Sequence, residues 1–295
     1  MTSIASGRAE LGYLLKVSRP GFWLTQLWFY LLPLARVPVL DSGRFWLGAI
    51  YFSIGLGFAL YGWNDLVDTE TDRFNPRKDS LLFGARGTPD QLGRLPWVIA
   101  FVQLPFVVIF TLIEGPRMAV WFAALFAATV LYNHFPPSGL KGRPPFELFN
   151  QLGYLLVFVG SSWLNQVPQL PWPTFVFGGL FAMHSHLFGE IMDIGPDRAA
   201  GRRTTASVLG VTRTKVLLVA FLAAESGVVF AFFKNPLVGG ALGLAAVWFL
   251  LDALVLWRDR PYTAAQMRFF FLGWNAVALA SMAWIWQTGA LSFVR

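Results

Sequence analysis

The sequence predicts an all-α membrane protein of about nine transmembrane helices with a cytoplasmic N-terminus. Three observations carry that prediction. Only 13% of the 295 residues are charged, about half the share in a soluble domain. The 56% hydrophobic content is gathered into runs that reach the ~20 residues a helix needs to cross a ~30 Å hydrocarbon core. Those runs are continuously apolar, without the alternation of barrel strands, and backbone inside lipid must close its hydrogen bonds in a helix or a closed barrel.

Bounded by charges, Pro and Gly, the runs fall near 21–40, 45–63, 95–113, 117–133, 147–165, 173–190, 214–233, 236–257 and 268–288. With the N-terminus inside, the cytoplasmic segments take Arg8, Lys16 and Arg19, then Arg73, Arg77, Lys78, Arg86 and Arg94. Lys141 and Arg143 follow, then Arg198, Arg202, Arg203, Arg213 and Lys215, and finally Arg258, Arg260 and Arg268. Of the 23 Lys and Arg, only Arg36, Arg44, Arg117, Lys234 and Arg295 remain outside. This positive-inside bias supports an odd number of crossings, with the N-terminus inside and the C-terminus outside.

Residues 1–295 read as one membrane domain. Without cysteine there is no disulfide, thiolate or Cys-ligated metal chemistry. The first twenty residues lack the short apolar core and cleavage pattern of a secretory signal, so the first span is expected to stay attached. The net charge of +7 suits topology and anionic lipid headgroups, and it also suits an anionic substrate. Nucleic acid is excluded as a partner, because no basic soluble module exists to hold it. The sequence identifies no protein partner.

Two cytoplasmic loops, roughly 64–94 and 190–213, open on the same arrangement of acids. The first is Asn64-Asp65-x-x-Asp68-x-x-x-Asp72 and the second is Glu190-x-x-Asp193-x-x-x-Asp197. Offsets of 0, 3 and 7 fall within about 60° of one another on a helix, so each set lines one face. Three like charges on a face repel unless something neutralises them. Hard oxygen ligands suit Mg²⁺, or Mn²⁺, and Mg²⁺ is commonly held by a few carboxylates together with substrate phosphates. Pro196 interrupts helical hydrogen bonding, so Asp197 is expected just beyond a helix end. As isolated features, such acids would read as helix-end charges at the membrane boundary; the repeat on one side argues against that.

The paired motifs resemble those of the UbiA superfamily of intramembrane prenyltransferases. The N-D-x-x-D-x-x-x-D pattern is matched by Asn64, Asp65, Asp68 and Asp72, and the second motif by Asp193 and Asp197 with "AAGRRTTASVLG" behind them. Glu190 stands where the family often has Asp. The resemblance covers nearly the whole chain. It implies a ring of nine helices around a central cavity open toward lipid, with the active site on the cytoplasmic side of the cell inner membrane. Mg²⁺ bound by Asp65, Asp68, Asp72, Glu190, Asp193 and Asp197 would hold the diphosphate of an isoprenyl diphosphate. The prenyl group would pass to a lipophilic acceptor, with membrane lipids around both. Metals stabilise the charge on departing diphosphate, and a dry aromatic chamber protects the allylic cation from water. Thirteen Trp, 29 Phe and 7 Tyr supply candidate walls.

Substrate contacts are expected from Asn64, from Arg73 and Lys78 after the first motif, and from Arg198 and Arg202 after the second, since Arg forks suit phosphate oxygens. The stretch "LYNHFPPSGLKGRPPFELFNQ" resembles the family's Y-x-x-P-x-x-L-K run, which offers Tyr132 and Lys141. His186 shares a helical face with Glu190 and Asp193. Glu225 and Asp252 lie deep in predicted spans, where ionisable residues are functional by default. The acceptor stays open between a quinone-precursor aromatic and a carotenoid such as lycopene; "NPRK" at 75–78 resembles the run in carotenoid-elongating members. The competing reading is an ion-coupled membrane transporter that uses the acids as a cation site.

Overall fold

The computed structural model describes residues 2–135 and 139–294. Met1, residues 136–138 of the loop before Lys141, and Arg295, placed outside by charge counting, lie beyond the described residues. Among those described there is no strand, only an isolated bridge between Ser80 and Gly84.

An N-terminal helix α1 (Thr2–Val17) leads through Arg19 into α2 (Pro20–Leu31). Then follow α3 (Gly43–Val67), α4 (Pro89–Glu114), α5 (Pro116–Asn133), α6 (146–164) and α7 (Trp172–Ala199). The chain closes with α8 (Val211–Phe233), α9 (Pro236–Leu256) and α10 (Ala264–Thr288). Each predicted apolar run is thus helical. Five of these helices, α3, α4, α8, α9 and α10, are long and apolar enough to cross a membrane.

Boundaries differ where Pro and caps intervene. The first run, expected at 21–40, is α-helical only to Leu31 and ends in a 3₁₀ turn, Leu32–Leu34, around Pro33, which lacks the N–H to continue. The last helix starts earlier than expected, at Ala264, because Thr263 and Gln266 form a capping box. Pro196 does not end α7, which continues through Asp197 to Ala199. A proline removes only its own N–H, and the next turn is closed by the Ala200 and Arg202 amides bonding to the Pro196 and Asp197 carbonyls. Asp197 is therefore a helical residue, correcting the expectation.

The largest core is aromatic and draws on α2 to α6 together with residues of α7, α8 and α10, with Phe29 stacked on Phe158 and Tyr30 on Phe52, each at 5.0 Å. Polar groups inside it are tied to one another. Tyr51 donates to Gln103 at 3.1 Å, and Gln103 donates to the Gly55 carbonyl at 2.7 Å, a group in one of two π-helical turns of α3. Gly57 is required by close approach: any Cβ there would collide with the Ser18 carbonyl. Large apolar side chains on α4 point outward, Trp97 at 78% and Phe101 at 81% exposure, the surface of a helix that faces lipid.

The deep acids are structural partners. Glu225 pairs with His184 across α7 and α8 at 2.5 Å. Asp252, fully buried on α9, accepts from Lys215 at 2.8 Å and from the Tyr262 hydroxyl. Stranding one charge of such a pair costs about 3–5 kcal/mol, whereas replacing both with apolar groups is often neutral. Lys215→Met should accordingly lower the thermal midpoint in detergent markedly, and Lys215→Met/Asp252→Leu should recover most of the loss. A double variant no more stable than the single would show that the pair does not act as a unit.

Candidate active site

α3 ends at Val67, Asp68 turns out of α-helical geometry, and a single turn, Thr69–Asp72, resumes. The Asp72 amide still bonds to the Asp68 carbonyl at 2.8 Å, so the first acidic motif stays on one continuous curve. The second motif sits on the last turns of α7. The loop after the first motif folds back onto it: Asn75 donates to Asp193 at 3.0 Å, and Arg77 pairs with the same carboxylate. The two motifs therefore meet at one end of the bundle.

They meet over a cavity of about 320 Å³. Its polar end is lined by Asn64, Asp68, Asp72, Glu190, Asp193 and Asp197, and its remainder largely by apolar and aromatic side chains from α2, α3, α6, α7 and α10. The carboxylates are neutralised by cations from four segments. Lys78 lies between Asp65 at 2.6 Å and Asp72 at 2.7 Å. Lys141 reaches Asp68 at 2.5 Å and Asn133 at 3.0 Å. Arg202 also pairs with Asp68 and lies 3.9 Å from Asp197, linking the motifs. Asp65 accepts from Arg19 at 2.7 Å.

Not every candidate points the same way. Asp65 is buried beside the cavity but turned to Arg19. Glu190 accepts from the Ala206 amide at 3.0 Å and lies 3.2 Å from His186, which lines the cavity against Tyr132. Arg73 is exposed and pairs with Glu70 at 3.2 Å; Arg198 is exposed and donates to the Ser207 carbonyl. Neither lines the cavity. Thr204 caps the five-residue helix Thr205–Leu209 and also donates to Asp197 at 3.3 Å.

Sequence reasoning gave no site role to Arg19, Asn75, Asn133 or Glu147. Arg19 read as topological charge. Its backbone is left-handed, φ 49°, a costly state for a non-glycine residue, and its side chain runs past Gly84, itself at φ 102°, where a Cβ would crowd the guanidinium. Glu147, fully buried, accepts from the Thr205 amide at 2.5 Å and buttresses the second loop. No local pattern marks either residue.

The electrostatics divide the acids. Burial pushes Asp68 up, yet Arg202 and Lys141 outweigh it and hold that carboxyl below its ordinary value. For Asp72 burial wins over Lys78, and its pKa rises to about 6. For Asp197 burial, reinforced by the Asp193 charge, raises it to about 7. Among the described residues no three acids or histidines converge closely enough to hold an ion unaided, because the Lys and Arg partners draw them apart. The donor set nevertheless suits a hard cation: Asn64 Oδ1 and Asp65 Oδ2 are buried oxygens with no hydrogen bond, and Glu190 Oε1 has only His186 beside it at 3.2 Å, next to the carboxylates of Asp68, Asp72, Asp193 and Asp197.

A pH dependence follows. Asp72 and Asp197 keep a proton in the folded chain at pH values where an unfolded aspartate, near 3.8, has lost it, so stability falls as pH rises from about 4 through about 7. Asp68 has the opposite sign and acts below about pH 4. Protein in EDTA should melt several degrees higher at about pH 5 than at about pH 8, and Asp72→Asn/Asp197→Asn should lose most of that difference. An undiminished slope in the double variant would contradict the assignment.

The chain matches the UbiA prenyltransferase family over residues 22–276. It is 27% identical over 264 residues to a lycopene elongase/hydratase of Corynebacterium glutamicum, covering 87% of this chain and 89% of that protein. It is 33% identical over 219 residues to a lycopene elongase/hydratase of Haloferax volcanii, covering 70% of each. Its fold is similar to that of a UbiA homologue from Archaeoglobus fulgidus solved with DMAPP and Mg²⁺, with a TM-score of 0.63 at 16% identity, covering 92% of this chain and 98% of that one. The chain belongs to the UbiA prenyltransferase family and is an integral-membrane prenyltransferase.

Proposed function

We propose that the enzyme transfers a short prenyl group from an isoprenyl diphosphate to the end of a carotenoid such as lycopene. In this reading α2 to α10 all cross the membrane, the N-terminus and the acidic motifs face the cytoplasm, and the cavity opens to lipid. Family membership displaces the ion-coupled transporter. The observation that carries the proposal is the meeting of both motifs over one cavity whose remaining wall is apolar.

Mg²⁺ would fit the oxygens of Asp68, Asp72, Asp193 and Asp197, with Asn64, Asp65 and Glu190 beside them; Mn²⁺ would accept the same donors. When bound, the metal supplies charge neutralisation for the departing diphosphate. With a divalent cation held by the carboxylates, Lys78, Lys141 and Arg202 would be free to meet phosphate oxygens, for which the Arg fork is suited. Tyr132, edge-on to His186 at 6.0 Å, offers a π-face near the bond that breaks. Arg73 and Arg198 are placed for lipid headgroups instead.

The apolar remainder of the cavity favours a carotenoid over a charged aromatic acceptor. Every Lys and Arg that lines the cavity is already paired with a motif carboxylate or an aromatic face, so an acidic acceptor would compete with diphosphate for its counter-charge. The relatives' names, lycopene elongase/hydratase, agree with an apolar polyene acceptor, and they add water to the chemistry. Only one end of a C40 polyene fits about 320 Å³; the rest lies in the bilayer.

The direct test incubates purified protein with dimethylallyl diphosphate, lycopene and Mg²⁺ and identifies products by mass. Extension of lycopene by five carbons is expected, falling by at least about a hundredfold in Asp68→Asn and Asp193→Asn, the scale on which removal of charge stabilisation acts. Transfer to a quinone-precursor aromatic acid and not to lycopene would contradict the acceptor assignment.

A further inference from the structure

We infer that the hydroxyl pair Tyr61–Tyr154 is a water-binding site within the prenyl-transfer cavity, and that the water held there is added to the acceptor. This rests on the carotenoid reading above and assigns residues to its second half. The two hydroxyls lie 2.9 Å apart, and both side chains line the cavity. Aromatic rings flank them, with Phe22 5.1 Å from Tyr61 and Phe29 5.9 Å from Tyr154. A polar pair in such a wall is a designed exception, because polar groups in low dielectric are costly unless bonded.

The two hydroxyls share one hydrogen bond, in which either oxygen can be the donor. Beside them Gln26, 1% exposed, is held with its amide nitrogen donating to the Phe52 and Ser53 carbonyls at 3.1 and 2.8 Å. With Tyr154 donating to Tyr61, the Tyr154 oxygen faces the cavity as an acceptor. A water that donates to it keeps its own lone pair free for attack.

The pair is also at a useful depth. Tyr61 precedes Asp65 by one turn of α3, about 6 Å along the axis, and sits in a π-helical turn, Phe58–Gly62, a feature frequent at functional sites. Arg19 links the two levels, with its guanidinium 4.6 Å from the Tyr61 ring centroid and ion-paired to Asp65 at 2.7 Å. A five-carbon group anchored at the acids reaches this level.

The chemistry balances without oxidant or reductant. The allylic C–O bond to diphosphate breaks, and the prenyl carbon bonds to the terminal alkene carbon of the acceptor. This leaves a tertiary cation on the adjacent carbon. The oxygen of water bonds to that carbon, and the released proton leaves with the diphosphate. Without a held water the same cation loses a proton and ends as an alkene.

The test runs the lycopene reaction in H₂¹⁸O and reads the ratio of ¹⁸O-labelled alcohol to alkene by mass, for wild type, Tyr154→Phe and Tyr61→Phe. The ratio counts only molecules that turned over, so a partial folding defect lowers both products alike. The expected result is labelled alcohol from wild type and a ratio lower by about five- to tenfold in Tyr154→Phe, the worth of one hydrogen bond. A smaller fall is expected in Tyr61→Phe. Unchanged ratios in both variants, or a wild-type product that is alkene alone, would overturn the water site while leaving prenyl transfer standing. No transfer to lycopene at all would overturn the carotenoid reading and the water site with it.

Discussion

Five carboxylates (Asp65, Asp68, Asp72, Asp193 and Asp197) pair with five cations (Arg19, Arg77, Lys78, Lys141 and Arg202) around the mouth of one cavity. In low dielectric each depends on the others, since an unpaired buried charge is far costlier than a paired one. Much of the local structure follows from that dependence. The loop after the first motif folds back so that Lys78 and Arg77 reach acids of both motifs. Arg19 adopts a strained backbone to reach Asp65. Glu147 and Glu190 hold the amides at the start of the helix Thr205–Leu209, which positions the loop that carries Arg202.

In the proposed reading, a diphosphate arriving with divalent cations would exchange one set of pairings for another, carboxylate to metal and Lys or Arg to phosphate, so that little uncompensated charge is created inside the membrane. Within the aromatic core, Tyr51 donates to Gln103 and Gln103 donates to the Gly55 carbonyl in a π-helical turn of α3.

The helices were legible because apolar runs bounded by charge and Pro are a local signal, and the acids were legible because one spacing occurs twice. What stayed hidden depends on pairing between distant segments. Arg19 and Asp65 are 46 residues apart, and Arg202 and Asp68 are 134 apart; nothing around either arginine distinguishes it from topological charge. Arg73 and Arg198, adjacent to the motifs in sequence, turn outward, because one residue of helical rotation, about 100°, separates them from Asp72 and Asp197. Pro196 misled in the other direction, since a single missing N–H near a helix end is absorbed by the next turn. Tyr61 and Tyr154 lie within apolar runs and look like packing until the cavity brings their hydroxyls together.

The central claim is that both motifs act as one metal-dependent diphosphate site. The most direct measurement is binding of radiolabelled geranyl diphosphate to purified protein, with Mg²⁺ and with EDTA, in wild type, Asp68→Asn and Asp193→Asn. The account predicts binding that needs the metal and is lost in either variant. Tight binding indifferent to the metal and to both substitutions would contradict it.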